Sequence, residues 1–216
     1  MNWVEITLSP TAVIISVLMA CALFKWNWLT ISGALMAWFL AFVVVFLAKW
    51  SIFPLVTFLV LGSLAGKIRA NAKEGGDAKQ GKARDHWQVL ANGGIFMLLA
   101  MLAFMNELGW LDSFLGIHTE VLRFSETCHL LALISLSVSC ADTLSSDFGR
   151  VWGGSPRNII TGKRMIKGVS GGVTGAGFVG ALLGAVSIAI FVFWTELSSL
   201  GSSVSAFWLI AFFGFI

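Results

Sequence analysis

Long uninterrupted apolar runs dominate this chain of 216 residues and constrain what it can fold into. A helix needs about 20 residues to cross a hydrocarbon core of about 30 Å, and seven runs approach or exceed that length. They lie near 10–24, 28–48, 51–66, 88–106, 127–142, 171–195 and 203–216. Barrel strands would instead alternate in stretches of about ten residues. The sequence therefore predicts an all-α polytopic membrane protein with about seven transmembrane helices.

The charge content excludes other classes of protein. Only 12% of the residues are charged and 57% are hydrophobic, whereas a soluble domain carries roughly a quarter charged residues. A water-soluble enzyme and an intrinsically disordered chain are both excluded. The N-terminus lacks a basic region before its first apolar run, so that run is predicted to be a retained span. We expect residues 1–216 to form a single transmembrane domain.

Two basic loops predict the orientation in the membrane. Residues 67–87 and 147–170 together hold 11 of the 14 lysines and arginines. Two spans separate these loops, so they share one face, and the positive-inside rule makes that face cytoplasmic. The acidic loop 107–126 then faces the other side, with the N-terminus outside and the C-terminus in the cytoplasm. The 67–87 loop could be a topology signal alone, or a strap near anionic lipid headgroups.

Two carboxylates follow the run at 127–142. A carboxylate near the end of a span costs a few kcal/mol unless it is paired or wetted, which makes Asp142 a functional candidate. On a continuous helix Asp142 shares a face with Ser145, Ser146 and Gly149, which are predicted to contact the substrate or nucleotide. Asp147 lies about 140° further round, so the two carboxylates converge only if the helix breaks or a second helix supplies ligands. The alternative is a helix end at which Asp147 pairs with Arg150.

Cations and glycines lead into the run at 171–195. Backbone N–H groups of glycines and of a helix N-terminus can approach an anion, and Lys or Arg neutralises phosphate oxygens. The candidate phosphate contacts are Arg157, Thr161, Lys163, Lys167, Gly168, Ser170, Gly171 and Gly172. No Walker A loop is present. Gly180 and Gly184 instead have the small-residue spacing that favours helix packing, which is also the alternative for the other glycines.

These elements together indicate phosphoryl transfer at the cytoplasmic face. Asn92, four residues after Gln88, is either a bond between helices or a residue of the site. Asp142 is predicted to be the principal Mg²⁺ ligand with Asp147 as its partner, and Lys167 to assist catalysis. The acceptor would be a lipid headgroup or lipid phosphate, because the surrounding spans offer an apolar slot for a tail.

Three motifs carry a resemblance to a known family. The first is Arg84-Asp85 with Gln88 to Gly93, the second is Ala141-Asp142-Thr143 with Ser146, Asp147 and Gly149, and the third is Thr161-Gly162 followed by Gly168 to Val173. In this order, over roughly residues 30–216, they resemble the integral membrane family that includes plant and cyanobacterial phytyl-phosphate kinase. More loosely, the chain is similar to the phytol and dolichol kinases, which use CTP.

The resemblance implies transfer of the terminal phosphate of a nucleoside triphosphate to an isoprenoid monophosphate such as phytyl or geranylgeranyl phosphate. CTP is the favoured donor, with UTP, GTP or ATP as alternatives, and in plants this route salvages phytol for tocopherol synthesis. The family usually has Glu where Asp147 stands. It also tends to continue after the final Gly-Phe with an Asp-containing segment, whereas this chain stops at Ile216.

Other functions use the same residues. A CTP:lipid-phosphate cytidylyltransferase would release pyrophosphate, and a prenyl alcohol kinase would accept the unphosphorylated lipid. A small transporter or lipid-binding scaffold is the alternative without catalysis, although no internal repeat is visible. The expected partners are an isoprenoid phosphate and membrane lipid, without nucleic acid, and a homo-oligomer is left open. The expected location is a prokaryotic plasma or thylakoid membrane, or a plastid envelope.

Overall fold

The structure, a computed structural model, is almost entirely helical in the residues it describes. These residues are 28–48, 52–72, 84–116, 121–167, 169, 171–194 and 203–216, with six single residues between 14 and 25. The run at 10–24 therefore lies for the most part outside the described residues. Each of the other six predicted apolar runs coincides with a helix.

Seven α-helices, one 3₁₀ segment and one strand pair make up the described part of the chain. The helices are α1 (Ile31–Ala48), α2 (Ile52–Asn71), α3 (His86–Glu107), α4 (Trp110–Leu115), α5 (Val121–Trp152), α6 (Gly175–Ala189) and α7 (Ser203–Phe215). The 3₁₀ segment Ile190–Trp194 continues α6. Strands β1 (Arg157–Asn158) and β2 (Gly172–Val173) pair antiparallel between α5 and α6, with Arg157 opposite Val173.

Four of these helices are long and apolar enough to cross a membrane, by length and composition. Their candidate spans are Phe53–Ala70, His86–Glu107, Phe124–Trp152 and Gly175–Phe193. Two shorter apolar helices cover Ile31–Val44 and Ser203–Phe215. The predicted helical membrane architecture is confirmed. The number of seven spans and the orientation of the termini stay predictions.

The predicted loop boundaries differ from those in the structure. The run at 127–142 is not a short helix, because α5 continues without a break for 32 residues to Trp152. The loop that was predicted at 147–170 thus begins after Trp152. Similarly, α2 extends to Asn71 and includes the first cations of the basic segment 67–87. Polar and charged residues form the ends of both helices beyond the apolar runs. Hydropathy alone does not show that a helix continues through such residues.

Two compact units divide the chain. The first consists of residues 1–52 and 83–128, and in it α1 packs against α3. The buried side of α3 follows a helical period, and three of its six residues are glycine or alanine: Val89, Gly93, Phe96, Ala100, Ala103 and Asn106. A bridge between Leu29 and Arg84 ties the segment before α1 to the segment before α3. Small residues let apolar helices approach closely, which replaces the hydrophobic driving force that lipid does not supply.

The second unit consists of residues 53–82 and 129–216 and contains most of α2 and α5, the strand pair, α6 and α7. The helices α6 and α7 pack together, and Ala141, Ala181 and Ala185 form a buried cluster between α5 and α6. A Cβ added at Gly184 would lie 2.7 Å from the Ala141 Cα, and one at Gly180 would lie 2.5 Å from the Leu144 carbonyl oxygen. The close packing predicted for these two glycines is therefore present.

Candidate functional site

The C-terminal third of α5 carries the first group of predicted site residues. Asp142 and Ser146 are exposed, and Ser145 is partly exposed with its hydroxyl donating to the Asp142 carbonyl oxygen at 3.2 Å. The Asp142 carboxylate forms no hydrogen bond or ion pair with any residue that the structure describes. An anionic side chain is thus available on the surface of a candidate membrane span.

Asp147 has a different environment. Its side chain is only 5% exposed, and its Oδ1 accepts a charge-assisted hydrogen bond from Nη1 of Arg69 on α2. Since α5 does not break between Asp142 and Asp147, the helix itself does not bring the two carboxylates together. The residue that the sequence analysis missed is Arg69. Arg69 lies about one turn beyond the apolar run 51–66, on a helix that continues to Asn71. A cation at that spacing was the sequence feature that could have indicated it.

A glycine contact connects the end of α5 to the start of α6. The Thr174 hydroxyl caps α6 by accepting from the Gly177 N–H at 3.0 Å. A Cβ at Gly149 would lie 3.1 Å from the same Thr174 Oγ1, and one at Gly153 would lie 2.5 Å from it. Gly149, a predicted ligand contact, therefore has a packing role here. Thr174 is a second residue that was missed, although a Thr before Gly-Ala-Gly is a recognisable N-cap signal.

The segment between the two helices folds as a hairpin, defined here as residues 155–167, 169 and 171–173. Asn158 organises its tip, because its side-chain oxygen accepts from the N–H groups of Ile160 at 2.9 Å and Thr161 at 2.8 Å. The Gly162 N–H donates to the Asn158 carbonyl at 2.8 Å, and Gly162 adopts a positive φ of 67° that favours glycine. Hydrogen bonds to the side chain and the carbonyl of Asn158 thus hold the tip of the hairpin.

The hairpin presents its cations outward. Arg157, Lys163, Arg164 and Lys167 are all exposed, and so is the predicted contact Thr161. Arg157 donates to the Gly162 carbonyl at 3.4 Å, and Lys167 Nζ donates to the Arg150 carbonyl at 3.3 Å. No acidic residue occurs between positions 148 and 195. All charged side chains of the hairpin are therefore positive, and the hairpin follows the helix that carries Asp142.

The other predicted site residues are divided between the hairpin and the first unit. Gly171 has a positive φ of 84°, and Gly172 lies in β2 where an added Cβ would contact Pro156. Gly168 and Ser170 lie outside the described residues. Asn92 is partly exposed on α3 in the first unit. In the same motif Asp85 has a capping role, since its carboxylate accepts from the Gln88 N–H at 3.0 Å at the start of α3.

A Mg²⁺ ion would find one suitable carboxylate here. Mg²⁺ usually binds through one or two carboxylates, waters and the phosphates of a substrate. Asp142 fits that role because it is exposed and has no other partner among the described residues. Asp147 fits it less well, since Arg69 already binds its carboxylate. Within the described part of the chain, no group of three His, Cys, Asp or Glu side chains could form a metal site.

Comparison with known proteins places the chain in a family. Residues 14–216 match the family described as integral membrane protein DUF92. The chain belongs to this family. It is also 34% identical over 185 residues, which are 83% of the chain, to a protein of Arabidopsis thaliana named Protein PGR. The chain spans 62% of the length of that relative. No solved structure matches it.

Membership of this family confirms the expected location in a membrane. It agrees with the four helices that are long and apolar enough to span one. Neither the family description nor the name of the plant relative states a kinase activity. The type of membrane and the face on which the hairpin lies stay predictions.

Proposed function

We propose that this protein is a membrane-embedded prenyl-phosphate kinase that transfers the terminal phosphate of a nucleoside triphosphate, CTP by preference, to an isoprenoid monophosphate. The observation that carries the proposal is the carboxylate of Asp142, which is exposed and unpaired among the described residues. It lies on the helix that leads into a hairpin whose charged side chains are all positive. Phosphoryl transfer depends mainly on positioning and on neutralising charge, and both kinds of group are available in one unit.

The ion pair of Asp147 supports Asp142 as the carboxylate for the metal ion and the hairpin cations as the groups for phosphate. Because Arg69 binds Asp147, the nearest carboxylate to the hairpin in sequence already has a cationic partner on α2. Lys163 and Arg164 have no acidic partner among the described residues. A cluster of unpaired cations attracts phosphate groups, so a triphosphate and a lipid phosphate would both be drawn to it.

The proposed reaction is a direct displacement at the γ-phosphorus. An oxygen of the prenyl phosphate forms the new bond to phosphorus, the bond from phosphorus to the β–γ bridging oxygen breaks, and the nucleoside diphosphate leaves with that electron pair. Lys163 and Lys167 would offset the negative charge on the phosphate oxygens. Asp142 would hold Mg²⁺, which neutralises charge on the donor phosphates when it is bound.

Label position in the nucleotide tests the proposal. The protein, purified in detergent, is incubated with Mg²⁺, geranylgeranyl phosphate and CTP labelled in either the γ- or the α-phosphate, and the lipid products are separated. We expect label from the γ-phosphate alone in a lipid diphosphate, with the Asp142→Asn protein as the matched blank. Absence of γ-label from the lipid, with UTP, GTP and ATP as well as with CTP, would refute the proposal.

The same assay identifies the other candidates. A cytidylyltransferase would move the α-label into the lipid and release pyrophosphate. A prenyl alcohol kinase would transfer the γ-label to geranylgeraniol when this alcohol replaces geranylgeranyl phosphate in the assay. It would not transfer label to geranylgeranyl phosphate. A transporter or a lipid-binding scaffold would transfer neither label.

A further inference from the structure

Large apolar side chains project from the hairpin together with its cations. Ile160 is 89% exposed, Ile166 is 80% exposed and Ile159 is 66% exposed. Exposed apolar side chains on the spanning helices are expected, because lipid covers them. These three isoleucines lie outside every helix, so another environment has to cover them.

Hydrogen bonds hold the backbone of the hairpin while the isoleucine side chains stay exposed. The Ile160 N–H is bound to the Asn158 side chain, and the Ile159 N–H donates to the Gly171 carbonyl at 3.1 Å. Met165 N–H donates to the Pro156 carbonyl at 2.8 Å, which closes the other strand of the loop. The hairpin thus holds its apolar side chains outward in a preorganised surface.

The position of the hairpin identifies what this surface meets. One end joins α5 and the other joins α6, and both helices are candidate spans, so both ends of the hairpin emerge at the same face of the membrane. Trp152, the last residue of α5, is 56% exposed and stacks edge-on against Phe148. Exposed Trp residues at the end of a span typically lie at the level of the lipid headgroups.

The charge of the hairpin favours one kind of lipid. Between Asp147 and Glu196 the chain contains five basic residues and no acidic one: Arg150, Arg157, Lys163, Arg164 and Lys167. A segment that combines apolar side chains with cations binds in the interfacial plane of a bilayer, and its affinity rises with anionic lipid content.

We infer that the hairpin is a docking surface for the anionic lipid leaflet on its own side of the membrane. Ile159, Ile160 and Ile166 enter the boundary between headgroups and acyl chains, while Lys163 and Arg164 bind lipid phosphates. Lys163 also has a role in the proposed phosphoryl transfer, but docking requires neither nucleotide nor prenyl phosphate, so this inference does not depend on the proposed kinase activity.

A fluorophore at the tip tests the docking. Ile160→Cys is labelled with an environment-sensitive dye in a protein that also carries Cys21→Ser, since Cys21 is an exposed native thiol whereas Cys128 and Cys140 are buried. The labelled protein is reconstituted without nucleotide into vesicles of phosphatidylcholine alone, or of phosphatidylcholine and phosphatidylglycerol in equal parts. Quenching is measured with iodide in the water and with spin-labelled lipid in the bilayer.

We expect a blue shift of the emission in the anionic vesicles, with strong quenching by the spin-labelled lipid and loss of iodide quenching. Lys163→Gln with Arg164→Gln should abolish most of that shift. The matched control, Lys67→Gln with Lys73→Gln, removes two positive charges outside the hairpin and should preserve it. Asp142→Asn should also preserve the shift, so that a failed kinase assay and a failed docking test are separate results.

Two results would overturn the inference. Iodide quenching that is equally strong in both kinds of vesicle would show that the tip projects into water. Equal protection in both kinds of vesicle, with no effect of the hairpin charge variant, would show that anionic lipid is not what the hairpin binds.

Discussion

Arg69 on α2 and Asp147 on α5 form an ion pair within the second unit, with side chains 23% and 5% exposed. Gly66 lies one turn earlier on α2, and a Cβ added there would be 3.9 Å from the other oxygen of Asp147. A methyl group at that distance would make an ordinary van der Waals contact, so Gly66 is not required to make room for the carboxylate. The arginine neutralises the carboxylate, and the ion pair joins α2 to α5.

Removal of one charge of this pair should destabilise the protein. We expect Asp147→Asn to cost about 1–3 kcal/mol, because the mostly buried guanidinium of Arg69 loses its ion pair with Asp147. A thiol-reactive dye can follow unfolding in detergent, since Cys128 and Cys140 are buried and become reactive on unfolding. Cys21→Ser removes the exposed thiol that would give a background signal.

A double-mutant cycle is the control for that measurement. Arg69→Gln with Asp147→Asn should be less destabilised than the sum of the two single variants, because each single variant already loses the ion pair. Strictly additive losses would mean that the two side chains do not interact.

Asp142→Asn should separate activity from stability. The Asp142 side chain is exposed and unpaired among the described residues, so the unfolding temperature should stay unchanged. If Asp142 holds the metal ion, the kcat of phosphate transfer should fall about 100-fold or more. Asp147→Asn is the matched carboxylate, for which we expect the larger loss of stability. Near-normal turnover by Asp142→Asn at low Mg²⁺ would remove Asp142 from the reaction.

Gly184→Ala should weaken the packing of α5 against α6. The new methyl group would meet the backbone of Ala141 at 2.7 Å, and backbone atoms cannot rotate away, so we expect a loss of about 1–3 kcal/mol. Gly175→Ala is the matched control, because it lies at the start of the same helix with no atom within 4 Å of an added Cβ. Equal unfolding temperatures for the two variants would contradict the packing described for this interface.

The orientation can be tested with an impermeant maleimide. Lys163→Cys lies on the exposed hairpin and Asp112 lies in the acidic segment that is predicted to face the opposite side. In intact cells that carry Cys21→Ser, we expect labelling of Asp112→Cys only, and labelling of both sites after lysis. Labelling of Lys163→Cys in intact cells would reverse the predicted topology.

The helices could be predicted from the sequence because a helix that crosses the hydrocarbon core needs a long run of apolar residues. All six runs that lie within the described residues contain a helix, and the glycines of α6 pack as their spacing indicates. Helix ends were predicted less well. The segment from Asp147 onward is polar enough to resemble a loop, whereas α5 continues to Trp152 and Asp147 pairs with Arg69 within it.

The features that depend on contacts between distant residues could not be predicted. Nothing local in the sequence shows that Arg69 meets Asp147, which follows it by 78 positions. The strand pair is also hidden, because two-residue strands have no periodicity that a pattern could reveal. Gly149 shows the same limit, since its role is set by Thr174 on another helix.

The length of α5 has a consequence for how a lipid would reach Asp142. A helix of 32 residues measures about 48 Å, whereas the hydrocarbon core is about 30 Å thick. Asp142 lies ten residues before Trp152, or about 15 Å along the helix axis from the end that joins the hairpin. A prenyl phosphate that served as substrate would keep its tail dissolved in the bilayer throughout and would approach α5 from within the leaflet, whereas the water-soluble nucleotide would approach from the side of the hairpin.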